Sequence, residues 1–253
     1  MNWIGFETLV KRELVRTFAI INQVIWPPVI TTLLYVFVFG LALGSRIKQI
    51  AGVPYATFLI PGLIMLQVID GTYGETSSSV FQGRFMQSIQ ELLIAPLSAV
   101  ELVTGYVVSG ILRALFIAVL ITAIGIVFVH TAPRNWALYS LVIVLVAILF
   151  SALGVIFGLL AEKFDHIATL TTFAITPLVF VGGVFTSIAF LPPLVQKISL
   201  FNPMFHMIDA FRYSYTGRSD VPLALSLSVV AGLAALALAI ALAMTARGYK
   251  LRT

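Results

Sequence analysis

Asp70, Glu75 and Arg113 stand inside long apolar stretches of this 253-residue chain. A charge in hydrocarbon costs at least ~2.5–3.5 kcal/mol on insertion scales, so each needs a partner or water. Helical rise is about 1.5 Å per residue, which puts Asp70 roughly 21 Å above Arg84 and Arg113 roughly 18 Å above Glu101. The two are expected to meet at one level in a polar cluster between neighbouring spans, with Tyr73 as a further member. One chemistry for the pair is a salt bridge that fixes packing; the other is a substrate or proton site. A single pair gives no relay, which favours packing. Other self-contained chemistry is missing. No Gly-rich loop ends in Gly-Lys-Ser or Gly-Lys-Thr, so the chain carries no obvious means of hydrolysing ATP. His130, His166 and His206 lack metal-ligand spacing and read as loop or interface residues, and without cysteine there is no thiol catalysis or disulfide. No catalytic residue and no metal site are expected.

The elements that must position these residues are apolar helices. Sixty per cent of residues are hydrophobic, 10% are charged, and mean hydropathy is +1.07, whereas a soluble domain carries about 25% charged residues. A spanning helix needs about 20 apolar residues. Six such stretches are found, about Ile20 to Leu43, Tyr55 to Val80, Glu101 to Val129, Trp136 to Ala161, Ile167 to Phe185 and Leu223 to Met244. They use up the chain, so residues 1–253 form a single all-α integral membrane domain. Pro27-Pro28 should bend or restart the first span. Trp3, Phe6, Val10, Leu14 and Phe18 recur at helical spacing with Glu7, Lys11, Arg12 and Arg16 mostly elsewhere, so residues 1–18 read as an amphipathic helix along a membrane interface. Residues 186–222 are broken by Pro192-Pro193 and Asn202-Pro203 into pieces too short to cross, and read as re-entrant half-helices in the outer leaflet. Within them Arg212 is expected to snorkel outward, with Phe201, Phe205, Phe211, Tyr213 and Tyr215 as an interfacial aromatic belt.

Six crossings put both termini on one side, and the bases of the two terminal segments place that side in the cytoplasm. Lys11, Arg12, Arg16, Arg84, Lys163, Arg247, Lys250 and Arg252 then lie inside, against Arg46, Lys48, Arg134, Lys197, Arg212 and Arg218 outside. A net charge of +5 spread in this way reads as topology rather than as a nucleic-acid footprint. Residues 81–99 form the inner connection, where Gln87 to Ile94 reads as a short surface helix stopped by Pro96.

Pro203-Met204-Phe205-His206 followed by Arg212 resembles the signature of ABC-2 type permeases, the membrane subunits of ATP-driven bacterial exporters. Pro61-Gly62, the run Glu91 to Pro96, and Gly182-Gly183-Val184-Phe185 ahead of Leu191-Pro192-Pro193 extend the resemblance over essentially the whole chain. The pattern is most similar to the compact permeases of drug, nodulation-factor and polysaccharide export. The resemblance implies an inner-membrane homodimer bound to two copies of a separate ATPase, which supplies ATP and Mg while this chain carries no cofactor. It implies coupling to that ATPase through Gln90, Glu91 and Pro96, together with the N-terminal helix that bears Lys11 and Arg12. It also places Pro203, His206 and Arg212 in the re-entrant outer region, and Thr169, Thr171, Thr172 and Thr176 as lining of a seam formed by the first and fifth spans.

The expected function is export of an amphipathic, lipid-linked or drug-like cargo. The rivals are an ion-coupled secondary transporter using Asp70 or Glu75, and a lipid-modifying membrane enzyme, for which only Glu162, Asp165 and His166 come near a cluster. No residues stand out as the convergent polar groups that would define a cargo pocket.

Overall fold

The computed structural model describes residues 3–43, 49–50, 52–86 and 98–249. Helices α1 (Trp3–Ala19) and α2 (Ile21–Tyr35) are separated at Ile20, and α2 continues into wider π turns over Val36–Leu43. Strands β1 (Gln49–Ile50) and β2 (Val53–Pro54) form a two-residue antiparallel ladder pairing Gln49 with Pro54 and Ile50 with Val53. Then come α3 (Tyr55–Phe85), α4 (Ala99–Ile124) with a π turn at Gly125–Val129, and α5 (Trp136–Leu160). The short helices α6 (Phe164–Leu170) and α7 (Thr176–Val181) are joined through a π turn at Thr171–Ile175. A 3-10 turn at Ile188–Phe190, α8 (Pro193–Phe201), α9 (Pro203–Thr216) and α10 (Leu223–Ala246) complete the chain.

Among the described residues six helices are long and apolar enough to cross a membrane: Ile21–Gly40, Tyr55–Phe85, Ala99–Val129, Trp136–Leu160, Phe164–Val181 and Leu223–Ala246. The second runs five residues beyond the expected end at Val80, because Arg84 finds a partner there rather than water. The first break falls at Ile20, ahead of Pro27-Pro28, which both lie inside α2. Pro177 comes two positions after the π turn at Thr171–Ile175, where the widened backbone relieves the clash between a proline ring and the preceding turn.

The mostly buried α3 and α5 form the centre, whereas α2, α6–α7 and α10 keep most of their surface outward. Close approach of the central pair depends on Gly154 and Gly158. A Cβ on Gly154 would stand 2.8 Å from Thr76 Cβ, and one on Gly158 would stand 2.8 Å from Val80 Cβ and 2.9 Å from the Ser77 carbonyl. Such small-residue spacing lets membrane helices pack backbone to backbone. Arg84 closes one end of the pair: its Nη1 donates to the carbonyls of Gly158 (3.0 Å), Leu159 (2.7 Å) and Ala161 (3.0 Å), capping the C-terminus of α5.

Helix α9 departs from the expected interfacial belt. Phe205, Phe211 and Tyr215 are buried, Tyr213 is half-buried, and of the five aromatic residues Phe201 stands out in the open at 90% exposure. Helix α9 is a core helix because neighbours surround it, with its polar residues buried along with its apolar ones: it sits among α3, α5, α7, α8 and α10.

Candidate functional site

Two clusters stand at opposite ends of the bundle. The first joins α1 to α3 and α4. Leu9, Glu13 and Thr17 form the inward stripe of α1, whereas Trp3, Ile4, Val15 and Phe18 face outward. The side that meets protein is therefore mixed, with Leu9 buried beside Glu13 and Thr17. Glu13 is 2% exposed and holds Arg12 Nη2 at 3.0 Å, Arg16 Nε at 3.4 Å and Ser79 Oγ at 2.7 Å. Arg16 reaches on to the carbonyl of Glu75 at 3.0 Å and to its carboxylate at 3.4 Å. Arg12 also donates to Tyr106 Oη at 3.4 Å, and Arg113 donates to Thr17 Oγ1 from Nε (3.2 Å) and Nη2 (2.7 Å). Contacts from α1 to α4 advance together, Arg12 to Tyr106, Thr17 to Arg113, Phe18 to Phe116, so the two helices run side by side in parallel. Lys11 stays outside this network and pairs with Glu7 at 2.8 Å on the exposed face, where the hydrogen bond from Lys11 holds the Glu7 carboxyl below its usual range.

Asp70 and Arg113 do line one cavity, of about 220 Å³, with Gln23, Gln67, Gly71 and Glu75. They make no ion pair there: Asp70 Oδ1 and Arg113 Nη1 each lack a hydrogen-bond partner, and the guanidinium is held by Thr17. Tyr73 is not a member. Three positions on from Asp70, about 60° round the helix, it is buried edge-on to Phe157 at 6.2 Å instead of lining the cavity. The cavity also brings together polar groups that the sequence keeps far apart, two carboxamides, two carboxylates and a guanidinium.

The second cluster collects the widely spaced motifs. Pro61-Gly62, Gly182 to Phe185 and Pro203 to Arg212 all meet at the end of the bundle that carries the β1–β2 hairpin. A Cβ on Gly62 would lie 2.7 Å from the Val184 carbonyl, so only glycine lets that backbone settle on α3. Gly183, at φ +94, occupies the left-handed region, and its carbonyl accepts from Arg212 Nη2. Arg212 does not snorkel. It is 5% exposed, stacked 3.8 Å over the Phe58 ring. His206 is likewise a buried tie rather than a loop residue, with Nε2 2.9 Å from the Leu200 carbonyl and Nδ1 3.3 Å from Ser226 Oγ. Pro203 opens α9 behind Asn202, whose Oδ1 accepts from the Met204 N–H and whose amide donates to the Leu178 carbonyl.

Thr169 and Thr172 are exposed and Thr176 is half-buried on the α6–α7 span; Thr169 Oγ1 donates to the Asp165 carbonyl and Thr171 Oγ1 to that of Ile167. Gln90, Glu91 and Pro96 lie outside the described residues. Glu13, Thr17 and Ser79 are not among the residues that the sequence singles out by motif or by depth. The i, i+4, i+8 stripe Leu9-Glu13-Thr17 is nevertheless a signal for the first two, and the Gly154 to Gly158 spacing in the fourth span is one for close helix packing.

The chain matches the ABC-2 type transporter family over residues 5–216, and it belongs to that family: a transport membrane protein rather than a catalyst. It is 41% identical over 228 residues to the inner membrane transport permease YadH of Escherichia coli K12, covering 90% of this chain and 89% of that one. It is also similar to nodulation protein J of Rhizobium leguminosarum biovar viciae, 29% identical over 202 residues, 78% of this chain and 76% of the relative.

Proposed function

We propose that this chain is the membrane-spanning permease subunit of an ABC exporter of the bacterial inner membrane, working as a homodimer with two copies of a separate ATPase that binds ATP and Mg. The family match carries the reading, and the E. coli relative bears the name of an inner membrane transport permease. The bundle supports a dimer seam: α2 exposes a stripe of Trp26, Ile30, Leu34 and Phe37, and the α6–α7 span exposes Phe173 and Phe180. Thr169, Thr172 and Thr176 then border the pathway. Both termini are cytoplasmic by the positive-inside bias. In this orientation α1, at the cytoplasmic end, acts with residues 87–97 as the ATPase-facing lever, and α8 and α9 form the re-entrant outer region. Residues 1–18, 81–99 and 186–222 thus serve one domain as gate, coupling segment and exit. Its surroundings are membrane lipids, its cargo is amphipathic, lipid-linked or drug-like, and nucleic acid has no part in it. A partner can shift a permease only through surfaces whose contacts differ between its states. The test is co-purification with the neighbouring ATPase and ATP hydrolysis by the reconstituted pair, comparing the native chain with Glu91→Arg. Binding lost on charge reversal supports the reading; no binding by the native chain ends it.

A further inference from the structure

Asp209 and Arg212 line the same cavity, and each carries one buried polar atom without a hydrogen-bond partner. Asp209 Oδ1 accepts from the Asp220 N–H at 2.8 Å, but Oδ2 is buried without a partner. Arg212 spends Nη2 on the Gly183 carbonyl and its face on Phe58, but Nε is buried without a partner. The two side chains are 1% and 5% exposed, they make no ion pair with each other, and both line a cavity of about 410 Å³. An unfilled position on a buried charged group is costly, and two of opposite sign in one cavity call for a ligand of both signs.

The remaining lining narrows the chemistry. Arg218 and Asp220 repeat the pairing of signs, so the four ionisable groups sum to zero and neither a purely anionic nor a purely cationic head is balanced. Thr216, Ser219 and Tyr213 add hydroxyl groups, and Val53 and Phe58 an apolar wall. The hairpin closes over Arg218, whose guanidinium occupies the space a side chain on Gly52 would need. At ~30 Å³ per water-sized group, the cavity has ample room for a small headgroup.

We propose that this cavity holds the phosphoethanolamine headgroup of a membrane lipid, its ammonium toward Asp209 and its phosphate toward Arg212. A primary ammonium has N–H groups to donate to a carboxylate, which the quaternary ammonium of phosphocholine lacks. With both termini cytoplasmic the hairpin end faces the outer leaflet, so the lipid comes from that leaflet. The proposal rests on that orientation alone and not on transport.

The test uses the purified full chain, stripped of lipid and then offered phosphatidylethanolamine, phosphatidylcholine or phosphatidylglycerol, with retained lipid read by native mass spectrometry. Phosphatidylethanolamine is expected to be retained about tenfold better than the other two, a difference of about 1.4 kcal/mol. Asp209→Asn should erase the preference. So should Val53→Trp, which fills the cavity while leaving both charges in place. Soluble phosphoethanolamine should displace the bound lipid. Equal retention of the three lipids, or an unchanged preference in both variants, overturns the site. Soluble phosphoethanolamine bound without competition from lipid overturns the lipid source. Because ATP hydrolysis is not the readout, failure here is distinct from failure of the permease assignment.

Discussion

Glu13 of α1 and Ser79 of α3 are 66 residues apart in sequence, and Ser79 Oγ donates to Glu13 Oε2 over 2.7 Å in a buried contact. Around it stand Arg12, Arg16, Glu75 and Arg113, so charged groups join the buried Leu9 in holding the N-terminal helix to two spans. Removing the carboxylate leaves two guanidinium groups facing a gap. Breaking a buried pair by deleting one partner costs about 3–5 kcal/mol, and Glu13→Ala should fall toward the lower value because Arg12 and Arg16 keep some access to solvent. Thermal unfolding of the detergent-solubilised chain measures this, with Ser79→Ala as a milder companion losing about 1 kcal/mol.

Side chains introduced between α3 and α5 should be poorly tolerated. Gly158→Leu would drive carbon into Val80 and the Ser77 carbonyl. Overpacking typically costs about 1–3 kcal/mol, and the backbone on one side raises the expected loss to the top of that range. A lowered melting temperature for Gly158→Leu, beside a smaller drop for Gly154→Ala, is the expected pattern; equal, negligible shifts would mean that the two helices separate easily.

Arg84→Gln tests the cap on α5. Hydrogen bonds to charged groups contribute about 1.5–3 kcal/mol, and one guanidinium nitrogen here serves three carbonyls. Amide hydrogen exchange should rise locally over the last turn of α5, with the centre of that helix unchanged.

Acidity should act on α9. Burial pushes the Asp209 carboxyl up from 3.8 to about 6; the backbone N–H of Asp220 and the Arg212 charge oppose the shift, and the Asp220 carboxylate reinforces it. The folded chain holds this proton more tightly than the unfolded chain, so its contribution to stability declines as pH rises from 3.8 through about 6. Asp209→Asn should remove that part of the slope in a melting-temperature profile across the same range.

The spans are legible because hydrophobic length is a local property of the chain, and five of the six fall within a few residues of expectation at both ends. Their partners are less so. That Asp70 and Arg113 reach one cavity follows from counting helical rise, but which neighbour each holds depends on rotation about the helix axis, and Tyr73 turns away for that reason. The N-terminal helix hides most. Its period shows an apolar stripe and a charged one, but the side that meets protein falls between them: Leu9, Glu13 and Thr17 are buried, whereas Trp3 and Phe18 of one stripe and Glu7 and Lys11 of the other stay exposed. Helix α9 shows the same limit: its proline, histidine and arginine are visible as a motif, but burial on all sides is set by helices far away in sequence.

Arg84 lies three positions before Gln87, at the mouth of the proposed coupling stretch. A cable clamped to two posts moves both when it is pulled. Through the carbonyls of Gly158, Leu159 and Ala161, Arg84 ties the end of α3 to α5, so on the proposed reading a tug on the stretch that follows would reach both central helices together.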